Sequence, residues 1–146
     1  MRGLERFPNL RNLFILNCPL EDVSALERHA FGRLFSLSLL YSAERLAQID
    51  LSRQRSLKCL SVLRHNLRQL RLPRSVVDLD LREGGEESEF DFRCIRGLGL
   101  ESLRVAAKQY AIENAFKFSQ FPYLKVIEID NLSALGTVTE ILSEKK

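Results

Sequence analysis

Few side chains in this 146-residue sequence could do chemistry, and their spacing limits what kind. His29 and His65 are the only histidines, and no Ser or Cys stands in a nucleophile signature beside either. A general base must reach the proton it takes, so two isolated imidazoles make poor catalysts. Cys18, Cys59 and Cys94 lack the close pairs that hold zinc. Their odd number suits free thiols in a reducing compartment. Asp78, Asp80, Gly84 and Glu89 approach a calcium loop, but Arg82 stands at a ligand position and Glu83 at the glycine position. Walker, G-x-G-x-x-G, G-x-S-x-G and H-E-x-x-H patterns are absent from the sequence. The expectation is a chain that is not an enzyme and uses no metal or cofactor.

Charge is the next candidate. Between Ser52 and Val77 stand Arg53, Arg55, Lys58, Arg64, Arg68, Arg71 and Arg74, with no acid. Between Asp78 and Asp91 the acids Asp78, Asp80, Glu83, Glu86, Glu87, Glu89 and Asp91 face only Arg82. One reading makes Arg53, Arg55, Arg64, Arg68, Arg71 and Arg74 a phosphate or RNA contact. The other lets two neighbouring segments neutralise each other. No aromatic residue interleaves with these arginines, so bases would lack a stacking platform. Phe90 and Phe92 are expected to anchor the acidic segment to the core.

The elements that position these groups follow from leucine, which supplies 27 of the 146 residues. Leu10 to Leu20 reads L-x-x-L-x-L-x-x-C-x-L without a mismatch. The first six positions recur from Leu34, Leu57, Val76, Leu100 and Leu124, in steps of 24, 23, 19, 24 and 24 residues. Each unit predicts a short strand with alternate residues turned inward. A single unit cannot bury its apolar face, so the copies must stack.

The intervening segments must lead the chain back. Pro19 to Gly32 and Lys108 to Phe116 carry helical spacing, and His29 falls on the first of these helices. His65 falls at a turn. Leu46-x-x-Ile49-x-Leu51 and Leu67-x-x-Leu70-x-Leu72 lie too close to their neighbours to start new units. They are expected to line the core from the return side, the second as an extended run ending at Pro73. Leu4 to Leu10 matches Phe118 to Leu124 position for position, so the chain is expected to start midway through a unit, as part of a longer array or with its first edge covered by a partner. Residues 133–146 are expected to cap the far end through Val138, Ile141 and Leu142. Register is least defined across the short step from Leu57 to Val76.

These units resemble the leucine-rich repeat family, intracellular type. The resemblance implies one α/β domain over residues 1–146. It would be a right-handed solenoid (horseshoe) of about six repeats with a parallel sheet on the concave face. It also implies recognition of a partner protein, as a scaffold or adaptor. The family's turn-bonding asparagine or cysteine is Cys18 in the first unit, but Ser42, His65, Gly84, Lys108 and Leu132 in the others.

Between the inward residues, one column points outward: Phe14, Ser38, Ser61, Asp80, Arg104 and Glu128. The next holds Leu16, Leu40, Leu63, Arg82, Ala106 and Asp130. Leu16, Leu40 and Leu63 would form an apolar row beside Phe14 and Tyr41, flanked by the charges of Asp80, Arg82, Arg104 and Glu128. The expected use is docking of a protein. Coverage by another part of the same protein, or a register shifted by one, are the competing readings. A buried subunit of a larger complex that binds RNA or phosphate through Arg53 to Arg74 is the alternative function. The net charge of +3 does not itself argue for nucleic acid. No apolar run reaches the ~20 residues that span a bilayer, and the first residues lack a signal-peptide core. An intracellular location, cytoplasmic or nuclear, is therefore expected, without a membrane partner.

Overall fold

The structure is a computed structural model that describes residues 3–82, 90–105 and 121–129. Its strands are β1 (Asn12–Leu16), β2 (Ser36–Leu40), β3 (Gln48–Asp50), β4 (Cys59–Leu63), β5 (Gln69–Arg71), β6 (Asp78–Leu81), β7 (Ser102–Val105) and β8 (Val126–Ile129). One α-helix, α1 (Ser24–Arg28), and 3-10 turns at Leu4–Arg6 and Phe92–Ile95 complete the described elements. Six strands form a parallel sheet in the order β1-β2-β4-β6-β7-β8, and β3 pairs with β5 in a second parallel sheet. The chain is a parallel β-sheet solenoid of about four turns with little helix.

The registers place Asn12, Ser36, Cys59, Asp78, Ser102 and Val126 in one row across the large sheet. That row reproduces the steps read from the sequence, including the short one of 19 between Cys59 and Asp78. A one-residue slip would turn every leucine to the wrong face. Burial alternates accordingly. Leu37, Leu39, Leu60, Val62, Leu79, Leu81, Leu103 and Val105 are buried, and the residues between them are more exposed except in β6, where Asp80 is buried as well. Ile49 and Leu70 of the return sheet close the core from the other side, with Leu46, Leu51 and Leu67. Each fully buried leucine contributes about 2 kcal/mol by removal of its surface from water.

Two local devices repeat along the solenoid. Before the strands, the N–H groups of Leu10, Leu34, Leu57, Val76 and Leu124 donate to the carbonyls of Phe7, Phe31, Gln54, Pro73 and Phe121. These turns aim the chain into each strand. After the strands, Asn17, Tyr41 and Arg64 adopt left-handed conformations with φ of 53°, 53° and 57°. A side chain there costs about 1–2 kcal/mol. Each of the three N–H groups is satisfied by the next rung, donating to Leu40, Leu63 and Arg82 carbonyls.

The return segments contain less helix than the sequence predicts. Pro19 to Gly32 yields only α1, five residues long. Isolated helices this short do not persist without tertiary support. His29 turns extended at the helix end, and Phe31 re-enters the core two residues later. The expected helix from Lys108 to Phe116 and the cap over residues 133–146 lie outside the described residues. No helix among the described residues is long and apolar enough to cross a membrane.

Candidate functional site

The outer face of the large sheet carries the residues singled out by the sequence. Register places Phe14, Ser38, Ser61, Asp80, Arg104 and Glu128 in one row, and Leu16, Leu40 and Leu63 in the next. Neighbouring strands stand about 4.8 Å apart, so the three leucines form a continuous strip. Leu16 is 47% exposed and Phe14 61%, while Leu40 and Leu63 are half-buried between their neighbours. Tyr41 follows Leu40 at the edge of the strip. The Arg64 guanidinium sits 5.8 Å from its ring centre and pairs with Glu44 at 3.3 Å. Ala106 and Asp130 lie outside the described residues.

The charged flank is a connected network. Arg82 clasps Asp80 with two bonds of 3.0 and 2.9 Å and reaches Glu128 at 3.7 Å. Arg104 bridges Asp78 at 3.1 Å and Glu128 at 3.4 Å. Asp80 is thereby 8% exposed, a buried acid covered by its own base, where the sequence suggests an open contact. Paired guanidinium and carboxylate groups hold each other's geometry, so this flank is a fixed polar border.

The sequence leaves the turn hydrogen bonds unassigned, and the structure supplies two of them. Ser42 Oγ donates to the Leu40 carbonyl at 2.8 Å and accepts from the Cys18 N–H at 3.2 Å. His65 takes the same place one rung on. Its Nδ1 accepts from the Leu67 N–H, so Nε2 carries the proton and donates to the Leu81 carbonyl, both at 3.2 Å. It is a turn residue, 3% exposed, with its ring against buried Phe90. Gly84, Lys108 and Leu132, the other residues at this position, lie outside the described residues.

Burial pushes the His65 imidazole below its ordinary value of 6.5, outweighing the bond to the Leu81 carbonyl. Protonation of Nδ1 would also break the Leu67 bond. The unfolded chain therefore takes up this proton at higher pH than the fold does. Its contribution to stability is complete above 6.5 and is lost as pH falls from there toward the lower folded value. Urea midpoints at about pH 7.5 and about pH 5.5 should fall more steeply for wild type than for His65→Gln. Equal slopes would show that another group drives the loss.

The remaining chemistry-bearing residues do not converge. Cys18 is exposed, Cys59 and Cys94 are half-buried, and all three are free thiols. Burial raises the Cys59 and Cys94 pKa values, which keeps both as thiols at neutral pH. Among the described residues no group of His, Cys, Asp or Glu could hold a metal ion. His29 is exposed near the end of α1.

The six arginines of the phosphate reading are also dispersed. Arg55 and Arg74 occupy the turns that lead into β4 and β6, and Arg64 follows β4. Arg68 and Arg71 belong to the return side, where Arg71 pairs with Asp50 at 3.6 Å. Arg53 donates to the Arg28 carbonyl. Two features escaped the sequence reading. Phe35 is 50% exposed at the start of β2, in the outward slot just after the first leucine of its unit. Gln54 is fully buried, where Phe31 and Phe121 stand in the corresponding turns. Comparison of the chain with family models, curated proteins and solved structures gave no match.

Proposed function

We propose that this chain is a leucine-rich-repeat interaction module that binds a partner protein on the outer face of its large sheet. In this reading the solenoid is a right-handed horseshoe of six repeats, with that face concave. The module acts inside the cell as a scaffold or adaptor and performs no catalysis. The observation that carries the reading is the in-register row of Leu16, Leu40 and Leu63, with Phe14 exposed beside it. Apolar side chains aligned on a rigid sheet offer a continuous apolar surface across rungs. Burying them releases water without ordering much of the protein. The border of Asp78, Asp80, Arg82, Arg104 and Glu128 orients the partner and disfavours apolar surfaces that lack matching polar groups.

The test is partner capture from native lysate with identification of the captured protein, comparing wild type with Leu40→Asp/Leu63→Asp. Circular dichroism first establishes that both are folded. The captured partner should fall by about tenfold or more in the double variant, as expected when central apolar contacts are lost. A partner retained in full by the folded variant would place its site elsewhere and reject this reading.

A further inference from the structure

A second surface lies at the edge of the large sheet from which the strands start, away from the leucine strip. The repeated turns bring three positions of successive rungs into line there. Arg55 and Arg74 occupy the second residue of their turns, and Arg33 the third residue of its own. Arg11, Phe35 and Lys58 occupy a third line. The Phe35 N–H donates to the Arg11 carbonyl and the Lys58 N–H to the Phe35 carbonyl. Arg11, Arg33, Phe35 and their neighbours Asn12, Gly32 and Ser56 line an open groove of about 740 Å³.

Three features set this edge apart. Arg11, Arg33, Arg55, Lys58 and Arg74 are five cations, and among the described residues no carboxylate pairs with any of them. Elsewhere Arg45, Arg64, Arg71, Arg82, Arg93, Arg104 and Lys125 each have an acid, while Arg6, Arg28, Arg53, Arg68 and Arg96 have none among the described residues; what distinguishes this edge is that its cations fall on the aligned turns and strand starts of successive rungs. The Arg11–Phe35–Lys58 line continues through Val77 to Glu101, which pairs with Lys125 at 2.7 Å, so the basic run ends at Lys58 on this line. Finally, Phe35 stands half-exposed between the strands that carry Arg11 and Lys58. An exposed ring between cations supplies the stacking platform that the sequence reading found missing among the arginines.

We propose that this edge binds single-stranded nucleic acid, with Phe35 stacking on a base and Arg11, Arg33, Arg55, Lys58 and Arg74 contacting successive phosphates. Cations alone would also suit an acidic peptide. The ring favours nucleic acid, because a base offers a π-face and a carboxylate does not. The surface is separate from the leucine strip, so the two readings succeed or fail independently.

The experiment is fluorescence anisotropy with a labelled oligouridine of about 12 nucleotides. Binding at low salt should weaken as salt rises, with a log–log slope of about −3 for four to five phosphates neutralised. Arg11→Ser/Arg33→Ser should lose about tenfold or more in affinity and flatten that slope by about one unit. Phe35→Ala should lose at least about fivefold and leave the slope unchanged. The control, Arg68→Ser/Arg71→Ser on the return side, should change affinity less than about twofold. Absence of binding by folded wild type overturns the proposal, as does equal loss in the control pair. Displacement of the RNA by oligoglutamate with no penalty from Phe35→Ala also overturns it, and makes the edge an acidic-peptide site.

Discussion

Replacing Gln54 by leucine should cost about 3 kcal/mol or more. The amide is fully buried. Its Nε2 donates to the carbonyls of Leu26 and His29, and its Oε1 accepts from the Phe31 N–H at 3.0 Å. One side chain thus closes the end of α1 and fixes the turn that aims Phe31 and Leu34 into the core. Leucine nearly fills the volume and satisfies none of the three groups. Each buried group left unpaired costs roughly 1–3 kcal/mol, partly offset by the amide's own desolvation. Urea unfolding measures the loss, and hydrogen exchange at the Phe31 amide locates it. Gln54→Glu separates bonding from packing. The carboxylate can still accept from Phe31, but it cannot donate and it buries a charge. It should be at least as destabilising at neutral pH and should partly recover in acid, where a carboxyl proton can serve one carbonyl. A Gln54→Leu variant within about 0.5 kcal/mol of wild type would show that these bonds do not hold the rung together.

The second large effect compares one position on two rungs. Leu37 and Leu13 are register partners, and both are inward residues of the same consensus. Leu37 is fully buried, between β1 and β4. Leu13 is only partly buried, because β1 is the edge of the described sheet. Leu37→Ala should cost about 3–5 kcal/mol, the sum of lost transfer energy and a cavity that flanking strands cannot collapse. Leu13→Ala should cost about 1–2 kcal/mol, since less surface is re-exposed and one side is already open. Chemical denaturation of both variants checks the difference. Equal costs would mean that the first rung is covered in solution. The same edge explains Phe7, which is 59% exposed although Phe31 and Phe121 in corresponding turns are 4% and 3% exposed.

This contrast bears on the docking strip. Leu16 and Phe14 owe part of their exposure to lying on the edge strand, whereas Leu40 and Leu63 lie on interior strands flanked on both sides. The interior pair is therefore the better place to test docking. Substitution there leaves the edge unchanged. The ion-pair border has a similar double character. In the proposed docking reading, Arg82 and Arg104 would orient a partner while keeping their bonds to Asp80, Asp78 and Glu128.

The repeat pattern alone places the six strands of the large sheet, their register and their inward columns, whereas the pairing of Gln48–Asp50 with Gln69–Arg71 as a second parallel sheet is seen only in the structure. Leucines repeating at two spacings at once leave one arrangement that buries them all: alternation within a strand, and a constant step between strands. The short step of 19 residues, where register looked weakest, falls in line because Cys59, Leu60 and Ser61 pair with Asp78, Leu79 and Asp80. Ile49 and Leu70 were likewise legible as return-side core. The tertiary structure decided everything that depends on what stands beside a residue. Helical spacing in Pro19 to Gly32 gave way to five residues of helix, because the end of that segment is tied to Gln54 of the next rung. Asp80 became buried because Arg82 folds over it, and His65 became a turn-bonding core residue because the Leu67 N–H and Leu81 carbonyl converge on its two nitrogens. The arginines between Ser52 and Val77 are neighbours in sequence but divide in space: Arg55 and Arg74 stand in the turns at the edge where the strands start, Arg68 and Arg71 on the return side, and Arg64 after β4. Arg11 and Arg33, from earlier rungs, join Arg55, Lys58 and Arg74 along that edge. Apolar periodicity acts through a burial energy that every rung repeats, and so it is written locally. The Gln54 amide, the ion pairs of Arg104 with Asp78 and Glu128, and the surface patches join different rungs, so only stacking brings their members together. Asp80 with Arg82, and His65 Nδ1 with the Leu67 N–H, are contacts two residues apart whose burial the surrounding rungs supply.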